Sequence, residues 1–398
     1  MMPMTTLDST LGRYLQLVWD RNASDLHLTA GYPPVLRIDG RLVPIEGEQR
    51  LMPPDVARMI RSMFTEDHWA VYLEKKQLDF SFSYQGLGRF RGNAYQQRGA
   101  AALALRGIPY GIKTLDDLSA PDGIRRLLEQ PYGLVLCVGP TGSGKSTTLA
   151  AMIDQINETR ACHILTIEDP IEYLHRHKRS LVNQREVGED TPSFADGLKA
   201  ALREDPDVIL VGEMRDLESI AITLSLAETG HLVFATLHTN DASQALDRII
   251  DVFPSERRDQ IQVQLAGSLQ GVVSRRLLHA QGGGRVGAFE VLVANDAIRN
   301  LIREGKTRQI RNVVTTARID GMQTLEHDLN RLVAAGRISP EEALSVAAYP
   351  KEIVARGPNA QLLAALGASP ATNGPAGFNG TAGTNGSALP PPPPPGVR

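Results

Sequence analysis

Residues 139 to 146 read Gly139-Pro140-Thr141-Gly142-Ser143-Gly144-Lys145-Ser146, which matches the phosphate-binding loop pattern G-x-x-x-x-G-K-[S/T] at every position. The glycines let the backbone curl so that successive N–H groups converge on phosphate oxygens, and the dipole of the following helix adds to the attraction. In this pattern Lys145 reaches the β- and γ-phosphates, and the Ser146 hydroxyl ligates Mg²⁺. The stretch therefore predicts a nucleotide site.

The flanks of this loop have the pattern that a phosphate-binding loop requires. Residues 134–138 form an unbroken apolar run of strand length, typical of a strand that is covered on both faces. After the loop, Leu149, Met152, Ile153 and Ile156 recur at the spacing of one helix face. The sequence thus predicts a buried strand, the loop and a helix, in that order.

Composition and charge narrow the class of protein. The chain has 398 residues, 42% hydrophobic and 22% charged, which is ordinary for a globular protein of two domains. Its 42 basic and 45 acidic residues give a net charge of -3, so no excess of charge points to nucleic acid or to an anionic membrane. We find neither an apolar run of membrane-spanning length nor a signal peptide at residues 1–10, and expect a cytoplasmic protein. Cys137 and Cys162 are expected to be small buried residues in a reducing compartment.

Four segments are predicted along the chain. Residues 1–108 are expected to form a small α+β domain, 109–121 a linker with Pro and Gly breakers, and 122–356 the nucleotide-binding domain. Residues 357–398 are rich in Gly, Asn and Pro, which predicts a disordered tail. In the first domain the predicted elements are a helix over 7–21, extended segments at 25–28 and 35–38, a hairpin at Asp39-Gly40, a helical region over 53–75, and strands over 78–84, 89–96 and 101–107.

Four arginines lie on or beside the strands that close the first domain: Arg89, Arg91, Arg98 and Arg106. Arg89 and Arg91 share a face, because side chains alternate with a period of two along a strand. One interpretation is a solvated basic face, since arginines are mostly exposed. The other is that one or more of the four reaches the bound phosphates, in the same chain or from a neighbouring subunit.

The second domain alternates strands and helices, which is typical of a mostly parallel sheet with helices on both faces. Strands are predicted over 163–167, 208–213 and 232–237. From about residue 241 the pattern is mostly helical. The predicted fold class is therefore α/β, with a small α+β domain ahead of the nucleotide-binding domain.

Polar side chains come at or just past the ends of these strands, where the ligands of a parallel sheet bind. Glu213 is the expected Mg²⁺ partner, acting through water or through Ser146. A carboxylate must orient or deprotonate the attacking water; Glu172 is the first candidate and Glu168 the second. His238 is predicted to sense the γ-phosphate. The predicted catalytic residues are Lys145, Glu168, Glu172, Glu213 and His238, and the predicted nucleotide-binding residues are Gly139, Pro140, Thr141, Gly142, Ser143, Gly144, Lys145, Ser146, Thr147, Arg91, Arg98 and Arg106.

Four stretches, at residues 139–146, 166–172, 202–216 and 227–239, resemble in this order the Walker A, Asp, Walker B and His boxes of the secretion-superfamily ATPases. Two further stretches narrow the resemblance to the type IV pilus retraction ATPases, the PilT family. They are Ala23-Ser24-Asp25-Leu26-His27-Leu28 and Ala297-Ile298-Arg299-Asn300-Leu301-Ile302-Arg303-Glu304. The chain is similar to that family over about residues 7–350.

The resemblance implies a PAS-like N-terminal domain, a RecA-like ATPase domain and a homohexameric ring that uses ATP and Mg²⁺. It implies a motor that retracts pili, for twitching motility or DNA uptake, and that acts from the cytoplasmic face on a platform protein of the inner membrane without binding nucleic acid. In that family Glu172 would be the catalytic glutamate and Glu213 the Walker B acid. Arg299 and Arg303, otherwise interpreted as solvated, belong to a motif that the family ties to retraction rather than hydrolysis.

Three alternatives are weighed against this reading. An accessory retraction paralogue would need another motor. A RecA-like nucleic-acid translocase would need a basic groove studded with aromatic residues, which 5% aromatics and a net charge of -3 do not favour. A nucleotide-gated scaffold without turnover is disfavoured by the presence of Lys145, Glu172 and Glu213. The four-cysteine zinc element usual in the extension and secretion ATPases is absent, since the chain has two cysteines.

Overall fold

The computed structural model describes residues 7–38, 40–84, 87–108, 111–355 and 369–370. Its N-terminal elements are α1 (Ser9–Asp20), β1 (Asp25–Thr29), β2 (Val35–Ile38), β3 (Arg41–Pro44), α2 (Pro53–Met63), α3 (Glu66–Lys75), β4 (Gln77–Tyr84), β5 (Gly88–Gln97) and β6 (Ala100–Ile108). The six strands form one antiparallel sheet in the order β3-β2-β1-β6-β5-β4. This is the small α+β unit that the sequence predicts.

Local chemistry sets the helix boundaries of this unit. The Asp8 carboxylate accepts hydrogen bonds from the backbone N–H groups of Thr10 and Leu11, which starts α1. The helical region predicted over 53–75 consists of two helices, α2 and α3. Phe64 has extended backbone angles, and the Thr65 hydroxyl caps the first turn of α3. The predicted hairpin residue Asp39 lies outside the described residues, but β2 and β3, on either side of it, are paired.

The second part of the chain builds the larger sheet. Its elements are α4 (Asp122–Leu128), β7 (Gly133–Val138), α5 (Lys145–Thr159), β8 (His163–Glu168), β9 (Leu181–Glu186), α6 (Phe194–Ala201), β10 (Val208–Val211), α7 (Leu217–Glu228), β11 (Leu232–Leu237), α8 (Ala242–Asp251), α9 (Ser255–Ser268), β12 (Leu269–His279), β13 (Arg285–Val293), α10 (Asp296–Arg303), α11 (Ile310–Thr316), α12 (Leu325–Ala334) and α13 (Pro340–Val346). Short 3-10 turns lie at Thr307–Gln309, Arg318–Asp320 and Pro350–Glu352, and a two-residue pair joins β14 (Val354–Ala355) to β15 (Ser369–Pro370).

Seven strands are ordered β13-β12-β7-β11-β10-β8-β9, all parallel to their neighbours except β13. Every residue of β7, β10 and β11 is buried, as expected for strands with helices on both faces. Two separate hydrophobic clusters cover the two faces of this sheet. The predicted α/β fold class is confirmed.

The mostly helical pattern predicted beyond residue 241 is wrong for residues 269–293, which form the antiparallel hairpin of β12 and β13. Arg275 and Arg276 interrupt the apolar run of β12 and hide its strand character. The turn signal was present, because Gly282, Gly283 and Gly284 all adopt positive φ between the two strands.

The sequence also gives no prediction for β9, a six-residue strand at the edge of the sheet. Only two of its residues, Val182 and Glu186, are buried, so it lacks the apolar run by which β7, β10 and β11 are recognised. β9 pairs with β8 in a register that places Glu186 beside Glu168. The strand therefore runs along the acidic turn, defined here as residues 168–175.

The predicted tail lies outside the described residues except for 369–370. Among the residues that the structure describes, no helix has the length and apolar character that crossing a bilayer requires. The boundaries predicted for the two domains, 1–108 and 122–356, stay a prediction.

Candidate active site

The phosphate-binding loop joins the end of β7 to the start of α5. Gly142 and Gly144 have φ of 78° and 90°, a left-handed region that other residues rarely adopt. Gly144 is the N-cap of α5 and offers no side chain to the N–H groups of the first helical turn. These groups are the donors with which a helix N-terminus binds phosphate.

Lys145 lies at the first position of α5 with its side chain turned back into the loop. Its Nζ atom is 2.9 Å from the Gly139 carbonyl oxygen and 3.2 Å from that of Pro140. Burial lowers the pKa of Lys145, and the nearby carboxylates of Glu213 and Glu172 act in the opposite direction. The ammonium group therefore lies at the mouth of the loop, where a phosphate would bind.

A chain of polar contacts links this lysine to the Walker B position. Lys145 Nζ is 3.3 Å from His238 Nδ1, and His238 Nε2 is 3.2 Å from Glu213 Oε1. Since an ammonium group can only donate, Nδ1 accepts, and Nε2 carries the hydrogen towards Glu213. Arg215 Nε donates to Glu213 Oε2 at 2.7 Å. One network thus holds three of the predicted catalytic side chains.

The two candidate bases lie in different environments within the acidic turn. Desolvation raises the pKa of Glu168 to about 7, although Thr166 and Gln184 donate hydrogen bonds to its carboxylate. Glu172 is exposed and lines the same cavity. A pKa near the working pH suits a general base, so Glu168 stays the second candidate. Glu172 stays the first, because it is exposed to the cavity, whereas the Glu168 carboxylate already accepts hydrogen bonds from Thr166 and Gln184.

A cavity of about 450 Å³ collects most of the predicted site. Predicted residues that line it are Thr141, Gly142, Gly144, Lys145, Ser146, Thr147, Glu168, Glu172, Glu213, His238 and Arg106. Gly139 and Pro140 contribute their carbonyl groups to Lys145. Ser143 is buried, and its hydroxyl is without a hydrogen-bond partner among the described residues.

Of the arginines predicted to bind nucleotide from the first sheet, one lines the cavity and two do not. Arg106 reaches the cavity, and its Nε donates to the Asp25 carboxylate at 2.8 Å. Arg91 is exposed on β5 and Arg98 is exposed at the turn into β6, and neither is among the residues that line the cavity. Arg89 instead pairs with Glu186 on β9. The structure brings Arg106 to the site and leaves Arg91 and Arg98 away from it.

Arg275 on β12 is a residue of this site that sequence reasoning missed. It is 4% exposed, and its guanidinium donates to the Gly144 carbonyl and the Thr148 hydroxyl, each at 2.8 Å. Burial lowers its pKa. A Cβ atom on Gly144 would lie 2.7 Å from this guanidinium, so the glycine also makes room for it. The available signal was an arginine inside an apolar strand pattern.

A magnesium nucleotide suits these residues. Among the described residues, no group of three or more His, Cys, Asp or Glu side chains could hold a metal by itself. Mg²⁺ is usually bound through one or two protein groups together with phosphates and water. The Ser146 hydroxyl and the Glu213 carboxylate line the cavity beside the loop and would supply those groups.

Known proteins share this sequence and fold. The profile of the type II/IV secretion system protein family matches residues 115–282. The type IV pilus retractation ATPase PilT of Pseudomonas aeruginosa is 48% identical over 83% of this chain and 96% of its own. A twitching motility protein of Neisseria gonorrhoeae is 48% identical over 78% of this chain and 83% of its own.

A solved structure extends the similarity to three dimensions. The crystal structure of the pilus retraction motor PilT with bound ADP has a TM-score of 0.81 and 50% identity, and the match covers 86% of this chain and 98% of that one. The similarity therefore extends over both sheets and is not restricted to the loop.

Proposed function

The chain belongs to the PilT family of type IV pilus retraction ATPases, and on that basis we propose that it is a motor that hydrolyses ATP to retract pili and so drives twitching motility. The observation that carries the proposal is that the phosphate-binding loop and four side chains converge on one cavity. These are the candidate bases Glu168 and Glu172, together with Glu213 and His238. The extent of the sequence similarity supports the proposal as well, since the match to the pilus retraction ATPase covers 96% of that relative's length.

Each side chain has a task in hydrolysis. Lys145 and the loop N–H groups bind the β- and γ-phosphates, and His238 reports on the γ-phosphate through its contact with Lys145. Glu172 orients the attacking water and accepts its proton. Ser146 and Glu213 would hold Mg²⁺, which offsets phosphate charge when bound. Arg106 is the arginine of the first sheet that would reach the nucleotide in the same chain.

The motor is proposed to work as a homohexamer on the platform protein of the pilus machinery at the cytoplasmic face of the inner membrane. This follows the family resemblance and the two-part architecture. Arg89 of the first sheet contacts Glu186 on β9, the strand beside the acidic turn, so a change at the nucleotide can move one part of the chain against the other.

The direct test of the proposal is deletion of the gene in the source cell, followed by imaging of labelled pili. We expect long, persistent pili that no longer retract, because extension continues without the opposing motor. Complementation with the intact chain should restore retraction. Loss of pili in the deletion strain would contradict the proposal and indicate an extension motor.

Arg299 offers a test that separates hydrolysis from movement. The expectation that it is simply solvated is wrong, because its guanidinium donates to the Ala266 and Gly267 carbonyls at the end of α9 and contacts Gln270. Burial lowers its pKa. The contact connects α10 to α9 away from the nucleotide cavity.

We predict that Arg299→Ala leaves the hydrolysis rate close to that of the wild type, because Arg299 does not line the nucleotide cavity, while retraction events become rare. Phosphate release by the purified protein and pilus imaging in the complemented strain measure the two effects. Arg303→Ala is the comparison variant within the same motif, since Arg303 is exposed and bonds only locally to Asn300 among the contacts that the structure describes; it separates the contact with α9 from the motif as a whole. Normal retraction by the Arg299 variant would contradict this assignment.

A further inference from the structure

Glu186, the last residue of β9, is a buried carboxylate beside the acidic turn. It is 4% exposed, and its Oε2 atom accepts a hydrogen bond of 3.1 Å from the backbone N–H of Ile171. Ile171 directly precedes Glu172, the proposed base. The position of the Glu186 side chain therefore fixes the backbone on one side of that base.

Gln184, two residues earlier on β9, fixes the other side. Its Nε2 donates to the Tyr173 carbonyl at 2.9 Å, and its Oε1 accepts from the His175 N–H at 2.8 Å. Residues 171 and 173 are thus both held by side chains of the edge strand. Glu172 lies between these two anchors, which leaves its own side chain free to face the cavity.

The Glu186 carboxylate also binds the first sheet. Arg89 donates to Oε2 at 2.5 Å, and the Ser81 hydroxyl donates to Oε1 at 2.6 Å. The arginine is itself largely buried, with 16% of its side chain exposed. The Oε2 atom of Glu186 therefore accepts hydrogen bonds both from the Arg89 guanidinium on β5 and from the backbone N–H of Ile171.

From this geometry we propose that Glu186 is a positioning residue that couples docking of the first sheet to the orientation of Glu172. The inference rests on the proposed ATPase function. A buried carboxylate that loses its cation is costly, because its charge is no longer compensated. Undocking of Arg89 and Ser81 would therefore release Glu186 and, with it, the Ile171 anchor. Coupling of this kind is reciprocal, so the catalytic turn also favours the docked sheet.

A second contact between the two parts of the chain supplies the control. The Nε2 atom of His68 on α3 lies 3.5 Å from the Oε1 atom of Glu189. Glu189 follows β9 but is not one of the anchors of the acidic turn. His68→Ala removes a contact between the N-terminal unit and the segment after β9, and it leaves Glu186 with its partners. An effect that comes merely from losing one contact between the first sheet and the second part of the chain should also appear in this variant, whereas an effect that acts through Glu186 should not.

The test compares Arg89→Ala with His68→Ala in the full chain and reads two quantities. The first is hydrogen exchange at the Ile171 amide, which reports on the anchor without any turnover. The second is the split between kcat and KM for ATP. We expect Arg89→Ala to speed the exchange and lower kcat, each by about tenfold, the effect of losing one hydrogen bond to a charged group. KM should stay near the wild-type value, and His68→Ala should change neither quantity.

Two smaller substitutions keep the inference testable if the Arg89 variant does not fold. Ser81→Ala should show the same two effects at smaller size, and Ser83→Ala, an exposed serine on the same strand, should show none. Wild-type exchange and wild-type kcat in both Arg89→Ala and Ser81→Ala would overturn the inference. Absence of hydrolysis by the wild type would instead contradict the proposed function, and the exchange measurement would still decide whether the first sheet controls the anchor.

Discussion

Lys145→Ala should abolish ATP hydrolysis, with kcat lowered by about 10³-fold or more, the effect of removing one donor that stabilises developing charge. Lys145 is 8% exposed, and its Nζ is held within 3.3 Å of two loop carbonyls and of His238. Among the residues that the structure describes, no other lysine lines the cavity. Because phosphoryl transfer depends almost entirely on positioning and charge, nothing else in the loop can replace this cation.

The fold should survive the change, since the removed charge is one that burial disfavours and the strand and helix around the loop keep their apolar core. Phosphate release measures activity, and circular dichroism measures folding. Lys178→Ala is the matched control, because Lys178 is an exposed lysine that pairs with Asp154 on α5 outside the cavity. Turnover by the Lys145 variant within tenfold of the wild type would contradict the role given to this residue.

The sequence predicts those parts of the fold and site that depend on local patterns. The loop, the strand before it and the helix after it follow from spacing within about 20 residues, and Glu213 and His238 follow from their place at strand ends. Parallel strands bring such ends to one edge, so residues far apart in the chain could be placed together before the structure was known.

Residues that act through long-range pairing could not be predicted in this way. Arg275 donates to Gly144 across 131 positions, and Arg89 reaches Glu186 across 97. Both depend on strands, β12 and β9, whose polar side chains disguise their pattern. A charged residue in a strand is predicted to be exposed unless its partner is known. Which residue is the partner depends on which strands are neighbours in the sheet.

Glu172→Gln is expected to stop hydrolysis while leaving nucleotide binding intact. The amide has nearly the same size and keeps a hydrogen-bond acceptor, but it cannot take a proton from water. Loss of a general base lowers rates by about 10²- to 10⁴-fold. Fluorescent-nucleotide titration should give a wild-type affinity, and phosphate release should be almost absent. Asp154→Asn, on α5 but not among the described residues that line the cavity, serves as a control for loss of a carboxylate near the loop helix.

The alternative base makes a different prediction for the same variant. If Glu168 accepts the proton, Glu172→Gln should turn over at a normal rate, and that rate should follow the titration of Glu168. Its pKa is raised to about 7 by desolvation, so the rate would be low below pH 7 and would rise as the carboxylate forms above it. A pH profile of the variant therefore distinguishes the two assignments. Near-complete loss at every pH supports Glu172, whereas normal activity that climbs through pH 7 moves the role to Glu168.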